Sequence, residues 1–128
     1  MGYPFLLGRI LYGGFFIVAG VNHFRHTAMM TGYVASKGIP APRLAVFGSG
    51  VLLLLGGLSI ALGFRPTWGV AFLTVFLVPT TLSLHNFWAD TDPSARMNNL
   101  VNFEKNTALL GAAWMFLLLP QPWVFSVG

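Results

Sequence analysis

The stretch VLLLLGGLSIAL, residues 51–62, indicates the type of fold because it presents apolar or small side chains in every direction. A strand of a membrane barrel would alternate polar and apolar positions, and this stretch does not alternate. The stretch LLGAAWMFLLL, residues 109–119, has the same character. An α-helix satisfies all of its backbone hydrogen bonds within one segment, as hydrocarbon requires. The pattern therefore predicts an all-α protein whose helices cross a lipid bilayer.

The composition of the whole chain agrees with a membrane location. Of the 128 residues, 55% are hydrophobic and only 8% are charged, and the mean hydropathy of +0.73 lies well above the range of soluble domains. The absence of cysteine excludes thiolate nucleophiles, disulfide relays and iron–sulfur clusters. The net charge of +4 is explained by membrane topology and anionic headgroups. The lipid bilayer is therefore the first predicted partner, and no nucleic-acid partner is expected.

Charged and proline-rich interruptions divide the chain into four apolar segments. They predict a single transmembrane domain, residues 1–128, with spans at about 5–22, 44–63, 67–87 and 100–119. Pro4, Pro42 and Pro66 lie where a first helical turn tolerates a missing N–H, and Pro120 ends the last segment. The expected architecture is a polytopic four-transmembrane-helix bundle.

The first connection is predicted to contain a short helix of its own. In HTAMMTGYVASKG, residues 26–38, Ala28, Met29, Tyr33 and Val34 fall on one helical face before Gly38 stops the helix. Such a helix would lie in the membrane interface. The alternative is an ordinary mobile loop.

Basic residues predict the orientation of the bundle. Four spans bring the first and third connections to one side of the membrane, and most of the basic residues lie on or near that side: Arg25, Lys37, Arg43, Arg96 and Lys105, against Arg9 and Arg65 opposite. The excess predicts that the first and third connections are cytoplasmic and that both termini are outside, in a bacterial-type cytoplasmic (inner) membrane.

Polar residues near the ends of the spans are the candidates for a functional site. SLHNFW, residues 83–88, closes an apolar helix on a histidine and an asparagine, and two charges fall about one turn inside the fourth span. The topology brings these groups to the same side as the end of the first span. The predicted ligand-binding cluster comprises Asn22, His23, His85, Asn86, Glu104, Lys105 and Asn106. The alternative is that the charged side chains extend to the headgroups and the histidines lie at the water line.

Arg9 forms a second polar site near the opposite side of the membrane. Gly13 and Gly20 follow it at helical spacing, so Arg9 is expected to face the other helices. The acidic residues all belong to the far side. Arg9 is therefore expected to bind helix C-terminal carbonyls, a lipid phosphate, or an anionic or carbonyl-bearing ligand.

Four motifs in this order resemble the DoxX family of small four-helix membrane proteins: LGRILYGGFFIVAGVNHF (7–24), GIPAP (38–42), LHNFW (84–88) and NFEKNTALLGAA (102–113). The resemblance covers nearly the whole chain. It implies a four-helix bundle and a link to membrane redox chemistry, because the family includes relatives of the small subunit of thiosulfate:quinone oxidoreductase. His23 replaces a residue that is often lysine in the family, and Glu104 one that is more often apolar. Both departures add titratable groups to the predicted cluster.

The leading functional hypothesis is a small subunit of a membrane redox system that holds a quinone or a small anion at the membrane interface. His85 or His23 would move protons, Asn86 and Asn106 would orient the ligand, and Lys105 would stabilise developing negative charge. The chain has no recognisable electron carrier, so a larger membrane or peripheral redox partner would have to supply one.

Two other hypotheses stay open at this point. The first is a non-catalytic accessory or assembly subunit of a larger membrane complex, or a homo-oligomer, which the high glycine content also fits. The second is a metal site formed by His23, His26, His85 and Glu104, or a haem bound by His23 and His85. No metal is predicted from the spacing alone.

Overall fold

A computed structural model describes residues 2–127 as an all-helical protein. Its five α-helices are α1 (Gly2–Arg25), α2 (Thr27–Ser36), α3 (Pro42–Leu62), α4 (Pro66–Leu84) and α5 (Pro93–Met115). Short 3-10 turns follow α4 at Phe87–Ala89 and α5 at Phe116–Leu118. Across residues 2–127 no segment forms a β-strand. The all-α prediction is confirmed.

Proline residues start three of the helices. Pro42 and Pro66 occupy the first turn of α3 and α4, and the residues before them, Ala41 and Arg65, adopt left-handed φ values of 49° and 45°. Pro93 starts α5 after Asp92, whose side chain accepts a hydrogen bond from the N–H of Ala95 at 3.1 Å. A proline in the first turn loses no intrahelical hydrogen bond, so these positions are natural helix starts.

The last long helix differs from the predicted span at both ends. It begins at Pro93, seven residues before the predicted start of the span at 100, and its α-helical part ends at Met115 rather than near 119. The Asp92 cap starts the helix in a polar stretch that hydropathy alone does not mark. At the other end, Pro120 disfavours helical backbone in the residue before it.

Three helices of the described chain are long and apolar enough to cross a membrane: Gly2–Arg25, Pro42–Leu62 and Pro66–Ala89. Large apolar side chains such as Leu7, Leu44 and Val75 are exposed on them. A helix that is apolar on its outward as well as its inward face is typical of a membrane protein. The first half of α5 carries SARMNN and NFEKN, which lowers its hydropathy, and a fourth span through α5 stays a prediction.

Glycines set the distances between neighbouring helices. A Cβ built on Gly13 of α1 would lie 2.4 Å from the carbonyl oxygen of Gly57 on α3, and a Cβ on Gly69 of α4 would lie 2.4 Å from Ser59 Oγ on α3. The backbones of these helices therefore approach closely, because each glycine has only a hydrogen atom in place of a side chain. Tyr12 closes the ring of helices, because its hydroxyl donates a hydrogen bond from α1 to the carbonyl of Leu109 on α5.

The core inside this ring is apolar and is closed at one end by the last residues of the chain. Its buried members are Phe16, Leu53, Ile60, Val70, Leu73, Leu77, Ala113 and Trp123. The C-terminal segment, defined here as residues 119–127, folds back over the start of α1 and the end of α3. Phe125 stacks on Tyr3 at 5.3 Å, and the N–H of Val127 donates to the carbonyl of Leu62 at 2.9 Å. The start of α1 and the C-terminal segment thus lie at the same end of the bundle.

Candidate functional site

A large cleft opens between α2, the first half of α3 and the second half of α4. Its volume is about 930 Å³, within the range of sites for small organic ligands. The walls are mainly apolar, with contributions from methionine, leucine, valine and proline side chains. The polar or amphipathic residues of the lining are His23, Tyr33, Ser49, Thr80, Ser83 and His85. No lysine or arginine is among the described lining residues.

His23 reaches the cleft from the last turns of α1. Its Nδ1 lies 2.9 Å from the carbonyl oxygen of Ala19, and because a carbonyl only accepts, Nδ1 carries the proton. Its ring meets the ring of Phe76 edge-on at 6.0 Å. Gly50 on α3 makes room for the side chain, since a Cβ at that position would lie 3.1 Å from His23 Cβ. These contacts hold the imidazole in one orientation and leave Nε2 without a partner in the described chain.

His85 enters the cleft at the point where α4 ends. Its Nδ1 lies 3.3 Å from Asn99 Oδ1, and Asn99 Nδ2 donates to the Asp90 carboxylate at 2.7 Å. A carboxylate only accepts, so the amide nitrogen of Asn99 must face Asp90 and its oxygen must face the imidazole. The proton of neutral His85 is therefore expected on Nδ1. Asp90 sets the Asn99 amide, and Asn99 in turn sets the tautomer of His85.

Helix α2 covers the cleft and is attached to the end of α4 by two hydrogen bonds. The Tyr33 hydroxyl donates to the carbonyl of Leu84 at 2.8 Å, and Lys37 Nζ donates to Asn86 Oδ1 at 3.0 Å. The Lys37 ammonium also lies 5.8 Å from the centre of the Tyr33 ring. Asn86 is therefore engaged with α2 and does not itself line the cleft in the described chain. The short helix predicted in the first connection is present as α2.

The predicted charged pair of α5 does not contribute to the described lining of the cleft. Glu104 and Lys105 are both exposed. Lys105 turns towards α1, where its Nζ lies 5.3 Å from the centre of the Phe15 ring, and it also donates to Asn102 Oδ1 at 3.2 Å. Among the described residues, the structure thus brings His23 and His85 to one cavity and leaves this charged pair outside its lining.

The remaining predicted residues take positions inside or beside the bundle. Asn106 is buried on α5, and Asn22 is half-buried at the end of α1. Neither lines the cleft within the described part of the chain. The predicted cluster is therefore divided. His23 and His85 share the cleft and Asn86 holds α2, while the other four residues lie outside the cleft lining on α1 and α5: Asn22, Glu104, Lys105 and Asn106.

Arg9 occupies the opposite end of the bundle and is only 2% exposed. Its guanidinium donates to the carbonyls of Ala61 at 3.2 Å, of Val124, and of Phe125 at 2.6 Å. Its charge also lies 5.9 Å from the centre of the Trp123 ring. The carbonyls come from the last turn of α3 and from the C-terminal segment. Arg9 thus ties the C-terminal segment to the bundle.

Sequence reasoning missed four residues of the site: Tyr33, Lys37, Asp90 and Asn99. Asn99 is 7% exposed, which is unusual for an amide side chain and marks it as part of the interior network. Its position in a polar run at the start of α5 gave no sign of burial. Asp90 precedes the helix in a loop, where an acidic residue is unremarkable. Only the folding of the 85–92 connection brings both to the imidazole of His85.

The hypothesis of a metal centre can be compared with the positions of the candidate ligands. In residues 2–127, no group of three or more His, Asp or Glu side chains lies close enough to hold one ion. His26 is exposed at the junction of α1 and α2 and does not line the cleft in the described structure. The arrangement of the site is therefore better described as an apolar cleft with two imidazoles.

The fold and the cleft define the class of protein: an all-helical integral membrane protein with a cavity between its helices. Within that class the chain belongs to the DoxX family, whose family model matches residues 5–86. It is 34% identical over 117 residues to the inner membrane protein YphA of Escherichia coli (strain K12), an alignment that covers 89% of this chain and 79% of the relative. No solved structure gives a significant match. The resemblance stated from the motifs is confirmed.

Proposed function

We propose that this chain is a small subunit of a membrane redox system and that the cleft binds a quinone. The observation that carries the proposal is the combination, in one cavity of about 930 Å³, of apolar walls with His23 and His85. A quinone has a polar head with two carbonyl oxygens and an apolar tail, so it needs both kinds of surface. The mainly apolar lining favours this ligand over a small anion.

The two imidazoles are the groups that would hold the polar head. Each has its Nδ1 engaged with an oxygen acceptor, Ala19 O for His23 and Asn99 Oδ1 for His85. This leaves Nε2 of each neutral ring to accept a hydrogen bond, and then a proton, from a hydroxyl of the reduced quinol. The carbonyls of the oxidised quinone only accept, so a ring binds them only when it is protonated. Because the Nδ1 contacts fix both rings, little conformational entropy would be lost when a ligand binds.

A bound quinone would supply two-electron redox chemistry coupled to protons, which the side chains of this protein lack. The chain's own part is to bind, orient and exchange protons at the two Nε2 atoms. The electrons would come from or go to a larger membrane or peripheral partner. This division fits a subunit rather than a complete enzyme.

The same proposal includes a membrane arrangement. The chain would lie in the inner membrane, like its Escherichia coli relative, which is named an inner membrane protein. Helices α1, α3, α4 and α5 would be four spans, and α2 would lie in the interface. The basic residues Arg25, Lys37 and Arg43 flank α2 and support a cytoplasmic position for it. Both termini would then be outside. The cleft beneath α2 would open at the cytoplasmic half of the bilayer, where an amphiphilic ligand can enter from the lipid.

A titration of the purified protein with the reduced, quinol form of a short-chain ubiquinone or menaquinone analogue tests the proposal, because the quinol hydroxyls can donate to the two Nε2 atoms. The variants His23→Leu and His85→Leu should each weaken binding about tenfold or more, since each removes a hydrogen bond of roughly 1.5 kcal/mol from an apolar site. The matched control is His26→Leu, because His26 is exposed outside the cleft. Equal affinity in the wild type and both cleft variants would show that the proposal is wrong.

A non-catalytic accessory subunit is the second candidate function. It is favoured by Gly8 and Gly111, which lie on exposed positions of α1 and α5 with open space around a built Cβ. Small residues on an outward face allow a helix of another subunit to approach. Co-purification from native membranes with a stoichiometric partner whose activity survives His85→Leu would support this role over the first.

A further inference from the structure

A second groove lies on the outer surface of the bundle, at the end opposite α2. It runs between the last turns of α3 and the first turns of α4 and has a volume of about 350 Å³. Leu58 and Leu62 form one wall, and Trp68 and Phe72 form the other. The only charged residue of its described lining is Arg65, in the short connection between the two helices.

Close packing of the two helices shapes this groove. A Cβ on Gly69 would lie 2.7 Å from Ser59 Cβ, so the backbones approach closely at the floor while large side chains stand on either side. The Ser59 hydroxyl is already used, because it lies 2.7 Å from the carbonyl oxygen of Phe64 and 3.1 Å from that of Arg65. The floor therefore needs no hydrogen bond from a ligand. An apolar chain fits this surface, and Trp68, 62% exposed, is available to cover it.

Arg65 provides a positive charge at one end of the groove. Its side chain is exposed, and its guanidinium lies 5.6 Å from the centre of the Phe64 ring. Asp90 and Asp92 follow α4, a helix of 19 residues that is about 28 Å long at 1.5 Å per residue, so they lie at the other end of that helix. Glu104 lies midway along α5. The side chain of Arg65 is exposed, whereas the guanidinium of Arg9 is saturated by backbone carbonyls.

A cation at the edge of the spans beside an apolar groove suits a molecule that has an anionic head and an apolar tail. We propose that this groove binds an anionic phospholipid, with an acyl chain between Leu58 and Trp68 and the phosphate at Arg65. The bilayer presents such lipids at high local concentration, and the charge complementarity selects the anionic ones. This site is separate from the cleft and does not depend on the function proposed for the cleft.

Native mass spectrometry of the full-length protein tests the proposal. The detergent-purified protein is freed of lipid and then mixed with phosphatidylglycerol or phosphatidylcholine of identical acyl chains. The wild type should retain phosphatidylglycerol about fivefold better, because one basic residue near an anionic lipid contributes about 1 kcal/mol. Arg65→Gln should abolish this preference, and Arg65→Lys should keep it.

The matched control is Arg43→Gln, which removes an exposed arginine from the first turn of α3, at the opposite end of that helix from Arg65. It should leave the preference unchanged. Equal retention of the two lipids by the wild type would overturn the proposal, and this comparison holds even where Arg65→Gln fails to fold. A preference that persists in a folded Arg65→Gln protein, or that disappears in Arg43→Gln, would also overturn it.

Discussion

Replacement of Gly13 by alanine tests the packing of α1 against α3. The new Cβ would lie 2.4 Å from the carbonyl oxygen of Gly57 and 2.9 Å from the backbone nitrogen of Ala61. Both contacts are with backbone, so no flexible side chain can move aside. The relation is mutual, since a Cβ on Gly57 would lie 2.6 Å from the carbonyl oxygen of Gly13. Gly13→Ala must therefore push the two helices apart.

The magnitude follows from the displacement. Carbon and oxygen atoms of neighbouring backbones pack at roughly 3.3 to 3.6 Å, so α1 and α3 would have to separate by about 1 Å. Overpacking of this kind costs about 1–3 kcal/mol. We expect the free energy of unfolding of Gly13→Ala to fall by about 2 kcal/mol. Gly14→Ala is the matched control, because a Cβ on Gly14 meets nothing within 4 Å.

Unfolding of the purified protein from mild detergent by increasing SDS, followed by tryptophan fluorescence, measures both variants. Alanine has the higher helix propensity, so Gly14→Ala should be neutral or more stable by up to about 1 kcal/mol. Gly13→Ala should unfold at a clearly lower SDS fraction. Equal stability of the two variants would refute the close approach of α1 and α3 at Gly13.

Two further predictions concern the polar contacts at the two ends of the bundle. Arg9→Met removes the donor to the carbonyls of the C-terminal segment, so chymotrypsin should cleave this segment several-fold faster than in the wild type, as judged by mass spectrometry. Arg25→Met, at an exposed position, should not change the rate. Unchanged cleavage in Arg9→Met would contradict the role of Arg9 in holding the C-terminal segment. Asn99→Leu removes the acceptor that keeps the proton of His85 on Nδ1, so the ¹⁵N spectrum of histidine-labelled protein should show a shift towards the Nε2–H tautomer. Asn98→Leu, at the exposed neighbouring position, should leave that spectrum unchanged, and an unchanged spectrum in Asn99→Leu would rule out the assigned network.

The positions of the helices were largely predictable because their causes are local. Runs such as residues 51–62 are apolar on all sides, and prolines at 42 and 66 mark the first turns of α3 and α4. The start of α5 was less predictable. Hydropathy placed the span at 100, whereas Asp92 and Pro93 begin the helix in a polar stretch. A hydrogen-bonded cap acts on the backbone and leaves no mark in the hydropathy.

The candidate site shows the limit of this reasoning most clearly. Topology alone indicated which polar residues share one side of the membrane, and this brought Lys105 into the same predicted cluster as His85. In the structure Lys105 lies against Phe15 of α1, while His85 is held by Asn99. The side of the membrane on which a residue lies depends on chain connectivity, but the residues that it contacts depend on the rotation of each helix about its axis.

A helical membrane protein of this family could be predicted from composition, proline positions and motif order, because these are properties of the linear chain. The cleft that His23 and His85 share under α2, and the binding of Arg9 by carbonyls of the C-terminal segment, appear only once the helices are packed together. The physical reason is that glycine contacts and long-range hydrogen bonds set the helix rotations. Those interactions join residues far apart in the sequence, where no local pattern records them.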